Sequence, residues 1–342
     1  MQDVQGVDVQ ECKKTGLLNM RKKLVLFCLL LFSAGLSFAD DFALGLGCFN
    51  KGEYERALEY FLKPELQEKP AAQKILGDMY MKGLGVDKDC TQAVNWYRKA
   101  AAQSSAEVEF ALGNLYRDGE CVRRNTRQAI SWYEKAARNG IAAGYTEIGK
   151  FHMSGRGVAR DSSAAAYWFA KAVELREPEA LCLLGTFYLR GTGVNSNFTT
   201  ARMLLEEGTR LRDACSMAYL AEIYAEGSGV DADPARALAL VRESAEMGYS
   251  GAQRELARHY YTRGEASANP ENAFNWYMAA AENGNIAAME RLAEIHAFGQ
   301  LGQPRNTVLS GSWRKKADDA RKEQHQRRPS VARRGFTRLM EN

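Results

Sequence analysis

Histidine is nearly absent from this chain: four residues in 342, at His152, His259, His296 and His325. A Ser-His-Asp or Cys-His arrangement needs a histidine at the mouth of a cleft, and none of these four suggests one. The seven cysteines contain no CxxC pair, so a zinc site has no ligand spacing to start from. The Gly83/Gly85, Gly155/Gly157, Gly191/Gly193 and Gly227/Gly229 pairs lie between helical patterns, with no Gly-Lys-Ser/Thr after them. They read as turns, not nucleotide loops. Asp87/Asp89 and Asp231/Asp233 lack the further carboxylates of a calcium loop. Neither a metal nor a cofactor is expected, and no catalytic residue is assigned.

Long apolar runs are also lacking. The stretch from Leu24 to Phe32 is too short for an ordinary membrane span. It follows Arg21-Lys22-Lys23 and precedes Ser37-Phe38-Ala39, the layout of a secretory leader cleaved after Ala39. Met20 stands just before the basic cluster and is read as the true start, with residues 1–39 forming an upstream extension plus leader. An uncleaved anchor is the alternative.

What the chain has is a period. Alanine returns every 36 residues at Ala57, Ala93, Ala129, Ala165, Ala201, Ala237 and Ala273. Gly77, Gly113, Gly149, Gly185, Ala221, Ala257 and Ala293 keep the same interval. Periods of this size mark solenoids, in which each repeat buries its apolar face on its neighbours. Each repeat reads as two amphipathic helices. The first carries Leu-Gly and a tyrosine, as in Leu76-Gly77 with Tyr80. The second carries alanine and an aromatic pair, as in Ala93 with Trp96-Tyr97. The small residue at the glycine step lets a neighbouring helix approach, and aromatics set among alanines suit interdigitated packing. His152 and His296 fall at the tyrosine position and His259 beside it, so these three are expected in the core.

Punctuation follows the same interval. Asp89, Asn125, Asp161, Asn197, Asp233 and Asn269 stand where second helices begin, as N-caps. Pro234 and Pro270 follow two of them, and Pro70 and Pro178 open two first helices, at the position where a missing N–H costs nothing. Gly140, Gly248 and Gly284 stand where second helices end.

The motif Leu-Gly-x-x-Tyr-x-x-Gly-x-Gly-Val, then Asp, then Ala-x-x-Trp-Tyr-x-Lys-Ala-Ala runs through Leu76–Val86, Asp89 and Ala93–Ala101. It resembles the Sel-one-like repeat family, relatives of tetratricopeptide repeats with a longer inter-helix loop. The resemblance covers roughly residues 41–317. It implies an all-α fold, a right-handed α/α superhelical solenoid of helix-turn-helix repeats. Residues 40–69 are read as a degenerate capping repeat, 70–285 as six repeats, 286–320 as a degenerate last repeat with a capping helix, and 321–342 as a basic tail. Atypical ends are what capping a solenoid requires.

The net charge of +4 conceals a split, since residues 40–312 carry −4 and residues 313–342 carry +6. The tail is expected to be solvated. Its contact with nucleic acid is not expected, because secretion argues against it and only Phe336 is aromatic there. Five cysteines remain after the leader. Cys182 and Cys215 fall near the start of first helices in adjacent repeats, and Cys90 and Cys121 in adjacent inter-helix loops. This placement predicts two disulfides, Cys182–Cys215 and Cys90–Cys121, with Cys48 left over; five free thiols are the alternative.

In tetratricopeptide-like solenoids the first helices line the concave face, and the resemblance carries this over. One step past the glycine ladder stand Asp78, Asn114, Lys150, Thr186, Glu222, Arg258 and Glu294. A turn further lie Lys82, Asp118, Ser154, Arg190, Glu226 and Thr262. Beside these sit Met81, Arg117, Met153, Leu189 and Tyr261, of types favoured in interfaces. An extended peptide or a helix would lie along such a groove, although an ordinary solvated helix face fits the same residues. The expectation is a non-enzymatic, periplasmic or secreted bacterial scaffold binding a protein or peptide partner, a cell-envelope or host protein. No stable membrane insertion is expected after cleavage. The alternatives are a cell-wall enzyme or β-lactam-binding protein, and an adaptor held by an uncleaved leader.

Overall fold

The computed structural model describes residues 41–262 and 269–326, and every regular element among them is helical. The leader at 1–39 and the tail beyond 326 lie outside the described residues. None of the described helices is long and apolar enough to cross a membrane.

Two compact units divide the chain within one helix: residues up to Leu115 with Gly119–Arg123, and Tyr116–Asp118 with everything from Arg124. The first unit holds α1 (41–50), α2 (Tyr54–Phe61), α3 (Pro64–Gln67), α4 (Pro70–Lys82), α5 (Cys90–Ala102) and most of α6 (Ala106–Asp118). Phe61, Leu66, Leu76, Met79 and Trp96 form its core. The second unit continues with α7 (Thr126–Arg138), α8 (Ala143–Ser154), α9 (Ser162–Glu174), α10 (Pro178–Arg190), α11 (Phe198–Arg210) and α12 (Ala214–Glu226). It ends with α13 (Pro234–Glu246), α14 (Ser250–Thr262), α15 (Pro270–Glu282), α16 (Ile286–Phe298) and α17 (Thr307–Gln326). Consecutive helices pack in pairs, α4 on α5, α8 on α9, and so on to α16 on α17. First helices also touch their successors, α8 against α10 and α10 against α12. Residues 321–326, expected to open the tail, still belong to α17.

The same loop is rebuilt in each repeat from backbone hydrogen bonds. The N-cap amide of each second helix donates to the carbonyl at the tyrosine position of the preceding first helix. Asp161 N reaches His152 O at 2.9 Å, Asn197 N reaches Tyr188 O at 2.9 Å, and Asp233 N reaches Tyr224 O at 2.8 Å. Because the acceptor is main chain, histidine can replace tyrosine at 152 and 296 without loss of the loop. The cap side chains accept as expected, for example Asp161 Oδ1 from Ala164 N at 2.9 Å. In the glycine ladder, a Cβ on Gly149 would stand 2.4 Å from the Phe169 ring, and one on Gly77 would stand 2.8 Å from Tyr97. A close helix contact is thus made where no side chain intervenes.

The second glycine of each Gly-x-Gly turn has a separate duty. Gly193, at φ +69°, abuts the start of the preceding second helix, where a Cβ would lie 2.3 Å from the Ser162 carbonyl carbon. Cys121 occupies the same repeat position at φ 58°, and Cys90 occupies the position of Ser162. The close approach that elsewhere demands glycine here brings two cysteines together, with Cα atoms 4.8 Å apart in a Cys90–Cys121 disulfide. Cys182 in α10 and Cys215 in α12 form the second, with Cα atoms 5.9 Å apart. Cys48 is the remaining thiol. Both pairings are those expected from the spacing.

Candidate partner-binding grooves

The second unit carries two concavities on its first helices, and residues that fail to repeat gather in both. The smaller, about 570 Å³, lies where the C-terminal end of α6 meets α8. Arg117 forks onto Asp118, with Nε and Nη2 at 2.9 and 2.8 Å from the two carboxylate oxygens, while Nη1 reaches Glu147 at 3.1 Å. Lys150 Nζ donates to Glu147 at 2.8 Å and to Glu179 at 2.7 Å. Ser154 Oγ donates to the Lys150 carbonyl at 2.8 Å. From the following loops, Arg124 and Arg156 donate to the α6 carbonyls of Asp118 and Arg117, each at 3.3 Å. Phe151 supplies an apolar wall. The Arg117 hydrogen bonds hold the Asp118 carboxyl below the usual carboxylate range, helped by the charges of Arg156 and Arg124. Burial pulls the Lys150 ammonium down, but Glu147 and Glu179 outweigh it and hold the group above its ordinary value.

The larger groove, about 1200 Å³, lies between α10, α12, α13 and α14. Its floor is apolar and made of small side chains: Ala218, Ala221, Ala225, Ala237, Leu238, Val241 and Ala252. Its rim is ionic. Arg190 Nη2 sits 2.9 Å from both Glu222 oxygens, Arg254 pairs with Glu255 at 2.9 Å, and Arg258 with Glu255 at 3.3 Å. Burial raises the Glu222 carboxyl despite Arg190 beside it. Tyr219 and Tyr249 stand at the edges, with the Arg190 guanidinium 6.0 Å from the Tyr219 ring centre. At this groove the repeat departs from the ring pattern, as it also does at Leu205, which is fully buried. Tyr97, Tyr133, Phe169 and Tyr277 fill their repeats as buried rings. The same position in α13 is Val241, half-buried and lining the groove.

The structure thus brings Arg117, Asp118, Lys150 and Ser154 into one pocket, and Arg190, Glu222, Glu226 and Arg258 into the other. The remaining expected face residues are dispersed. Asp78 accepts from the Tyr97 hydroxyl at 2.5 Å and from Lys74 at 3.0 Å. Met81 and Asn114 are half-buried, and Lys82 is exposed. Thr186 donates to the Leu183 carbonyl at 2.7 Å. Leu189 is buried in the core beside Leu205, and Met153 packs on the core of α9 and α10, so neither projects freely into solvent. Tyr261 is exposed, with the Arg291 guanidinium 5.2 Å from its ring centre. Nothing is described for the Thr262 or His325 side chains. His296 is buried against Phe274, as expected for a core residue. His259 departs from that expectation: it is half-buried and lines the larger groove.

Several lining residues were missed by the sequence reading. Glu147, Tyr219 and Glu255 share one repeat position, two residues before the glycine step. That column, once aligned, holds unlike residues just as the selected ones do. Arg124 and Arg156 come from the loops, outside any helical face. Among the described residues, Cys182, Asp213 and Cys215 are the one set whose ligand atoms lie close enough to hold a metal. Its two sulfurs are joined to each other, and Asp213 caps α12 by accepting from Ser216 N at 2.7 Å, so these groups are already engaged.

Comparison with known proteins agrees with the repeat geometry. The Sel1 repeat model matches seven stretches, 70–105, 106–141, 142–176, 178–213, 216–249, 250–285 and 286–317. A Sel1 repeat protein from Oxalobacter formigenes is similar at 30% identity and a TM-score of 0.54, over 81% of this chain and 96% of that one. The protective antigen c5321 of uropathogenic Escherichia coli strains, with an SLR fold, is similar at 27% identity and a TM-score of 0.58. That match spans 82% of this chain and 68% of the antigen. No curated protein matches. Sel1 repeats are typically protein-interaction modules, and the two disulfides are consistent with a place outside the cytoplasm. With paired helices, capped loops and seven matched repeats in agreement, the chain belongs to the Sel1 repeat family.

Proposed function

We propose that this protein is an exported, non-enzymatic scaffold of the bacterial periplasm or exterior, holding a protein or peptide partner along the concave face formed by its first helices. The observation that carries this reading is the groove between α10 and α14. An alanine-rich floor bordered by paired arginines and glutamates is the anatomy of a protein-binding patch, with an apolar centre and a polar rim. Arginine and tyrosine at its edges add side-chain types that concentrate binding energy. Export is supported by the leader-like segment at 1–39 and by the two disulfides, which persist in oxidising compartments.

The test is crosslinking capture from an envelope fraction with the full chain, alongside Arg190→Glu, Arg258→Glu and Val241→Tyr. Val241→Tyr supplies the ring that Tyr277 provides in the following repeat and fills the floor. The scaffold reading expects one specific partner whose yield falls with all three. Capture of nothing specific, or of proteins indifferent to all three substitutions, overturns it. A mature N-terminus found at Asp40 in a soluble fraction supports export, and retention of residues 20–39 in membranes argues for an anchored chain.

A further inference from the structure

The smaller pocket is a positive island in an acidic body. Arg117, Arg124, Lys150 and Arg156 face Asp118 and Glu147 across it, while residues 40–312 together carry −4. Glu179 reaches Lys150 from outside the lining and tempers that ammonium, and Arg117 is paired with Asp118 and Glu147, so four cations face three carboxylates and one positive charge is in excess. The guanidinium positions are built rather than accidental. Arg124 and Arg156 are tethered to the last carbonyls of α6, a favourable place for cations. Arg117 is locked by its fork onto Asp118. Capping by Arg124 uses one of the five N–H donors a guanidinium offers. The side chains of Arg117 and Lys150 are also partly withdrawn from water, at 28% and 29% exposure, so an incoming charge is less screened than on an open surface.

We propose that this pocket receives the carboxylate side chains of an acidic segment on the protein partner. The proposal rests on the scaffold reading and names the chemistry of what is held. Guanidinium forks match planar carboxylates in bidentate geometry. Phe151 offers an apolar wall to the methylenes that carry a glutamate head. A phosphate dianion fits less well, because Asp118 and Glu147 line the same space and repel two charges more than one. The depressed Asp118 carboxyl agrees with the sign of the local field.

The experiment is fluorescence anisotropy on the oxidised full chain, with fluorescein-labelled, C-terminally amidated hexaglutamate as probe and hexaglutamine as control. Hexaglutamate is expected to bind at low salt and weaken as salt rises, and hexaglutamine is expected not to bind. Arg124→Glu and Arg156→Glu should each weaken the probe by roughly tenfold or more. Arg138→Glu, exposed and outside both grooves, should leave it unchanged. Arg124 is exposed, so its reversal does not endanger the fold, and unaltered circular dichroism verifies this. Equal binding of both peptides, or indifference to both reversals, overturns the proposal. So does displacement of the probe by inorganic phosphate at concentrations where acetate is without effect, which reassigns the pocket to phosphate. Failure of hexaglutamate alongside successful, Arg190-dependent capture removes this proposal and leaves the scaffold standing. Hexaglutamate binding with no captured partner retains the pocket and removes the scaffold.

Discussion

At the scale of single residues, the repeat sets conformational demands that its sequence does not always meet with the cheapest side chain. The second helices end on a left-handed residue every 36 positions, and Gly140, Gly248 and Gly284 supply it at φ 108°, 89° and 82°. The same step in other repeats is held by Ser104, Arg176 and Arg212 at φ 58°, 56° and 58°, where a Cβ carries strain. Ser104 is exposed, so Ser104→Gly should stabilise the protein by about 0.5–1 kcal/mol, read as a higher urea midpoint, since strain relief exceeds the added freedom of the unfolded chain. Asp118 gives a pH prediction. Its folded-state carboxyl is depressed by hydrogen bonds from Arg117. Its contribution is therefore fully present above the ordinary carboxylate range and lost as pH falls through the lower, folded-state value. Asp118→Asn should be less stable than the parent near neutrality, and the two unfolding curves should converge as pH falls below the ordinary carboxylate range. Curves that stay parallel as pH falls through and below the carboxylate range would refute the assignment.

At the scale of elements, the inter-helix turn offers two solutions to one close approach. Gly193 against Ser162 is the glycine solution, and Cys121 bonded to Cys90 is the covalent one. The double variant Cys90→Ser with Cys121→Gly restores the glycine version and relieves a positive φ at Cys121. It should cost less than Cys182→Ala with Cys215→Ala, where no such compensation exists and loss of a closed loop is worth about 2–4 kcal/mol. Comparative thermal unfolding of the two double variants decides this. These elements also show what could be read from the chain. The glycine ladder and the N-caps were legible because packing and capping recur at one interval, and both disulfides because that interval places their cysteines in adjacent repeats. The grooves were legible only in part. Arg190, Glu222, Lys150 and Arg117 stood out as positions that vary, but Leu189 varies as well and is buried. Helical phase alone does not separate a residue one step around the helix from its neighbour. The floor at Val241 required separating it from Leu205, which also lacks the ring but is fully buried, and Arg124 and Arg156 lie in loops where no helical period applies.

At the scale of the whole molecule, the described helices depend on neighbours rather than on one central core. Among the described residues, separate apolar clusters succeed one another along the sequence, from Phe61 and Leu76 to Leu292 and Trp313. Stability in such a stack is close to a sum of unit terms and nearest-neighbour terms. Its last unit, α16 with α17, has a neighbour on one side among the described residues and should exchange its amide hydrogens soonest. The Cys182–Cys215 bond changes that gradient locally. It spans 33 residues and ties α10 to α12 across the intervening α11, so opening cannot peel one unit away from the other. In native-state hydrogen exchange, amides of α10, α11 and α12 should open together in oxidised protein and split into successive steps after reduction. The bond therefore acts as a stop in a zipper, and the redox state of the compartment sets how many units must let go at once.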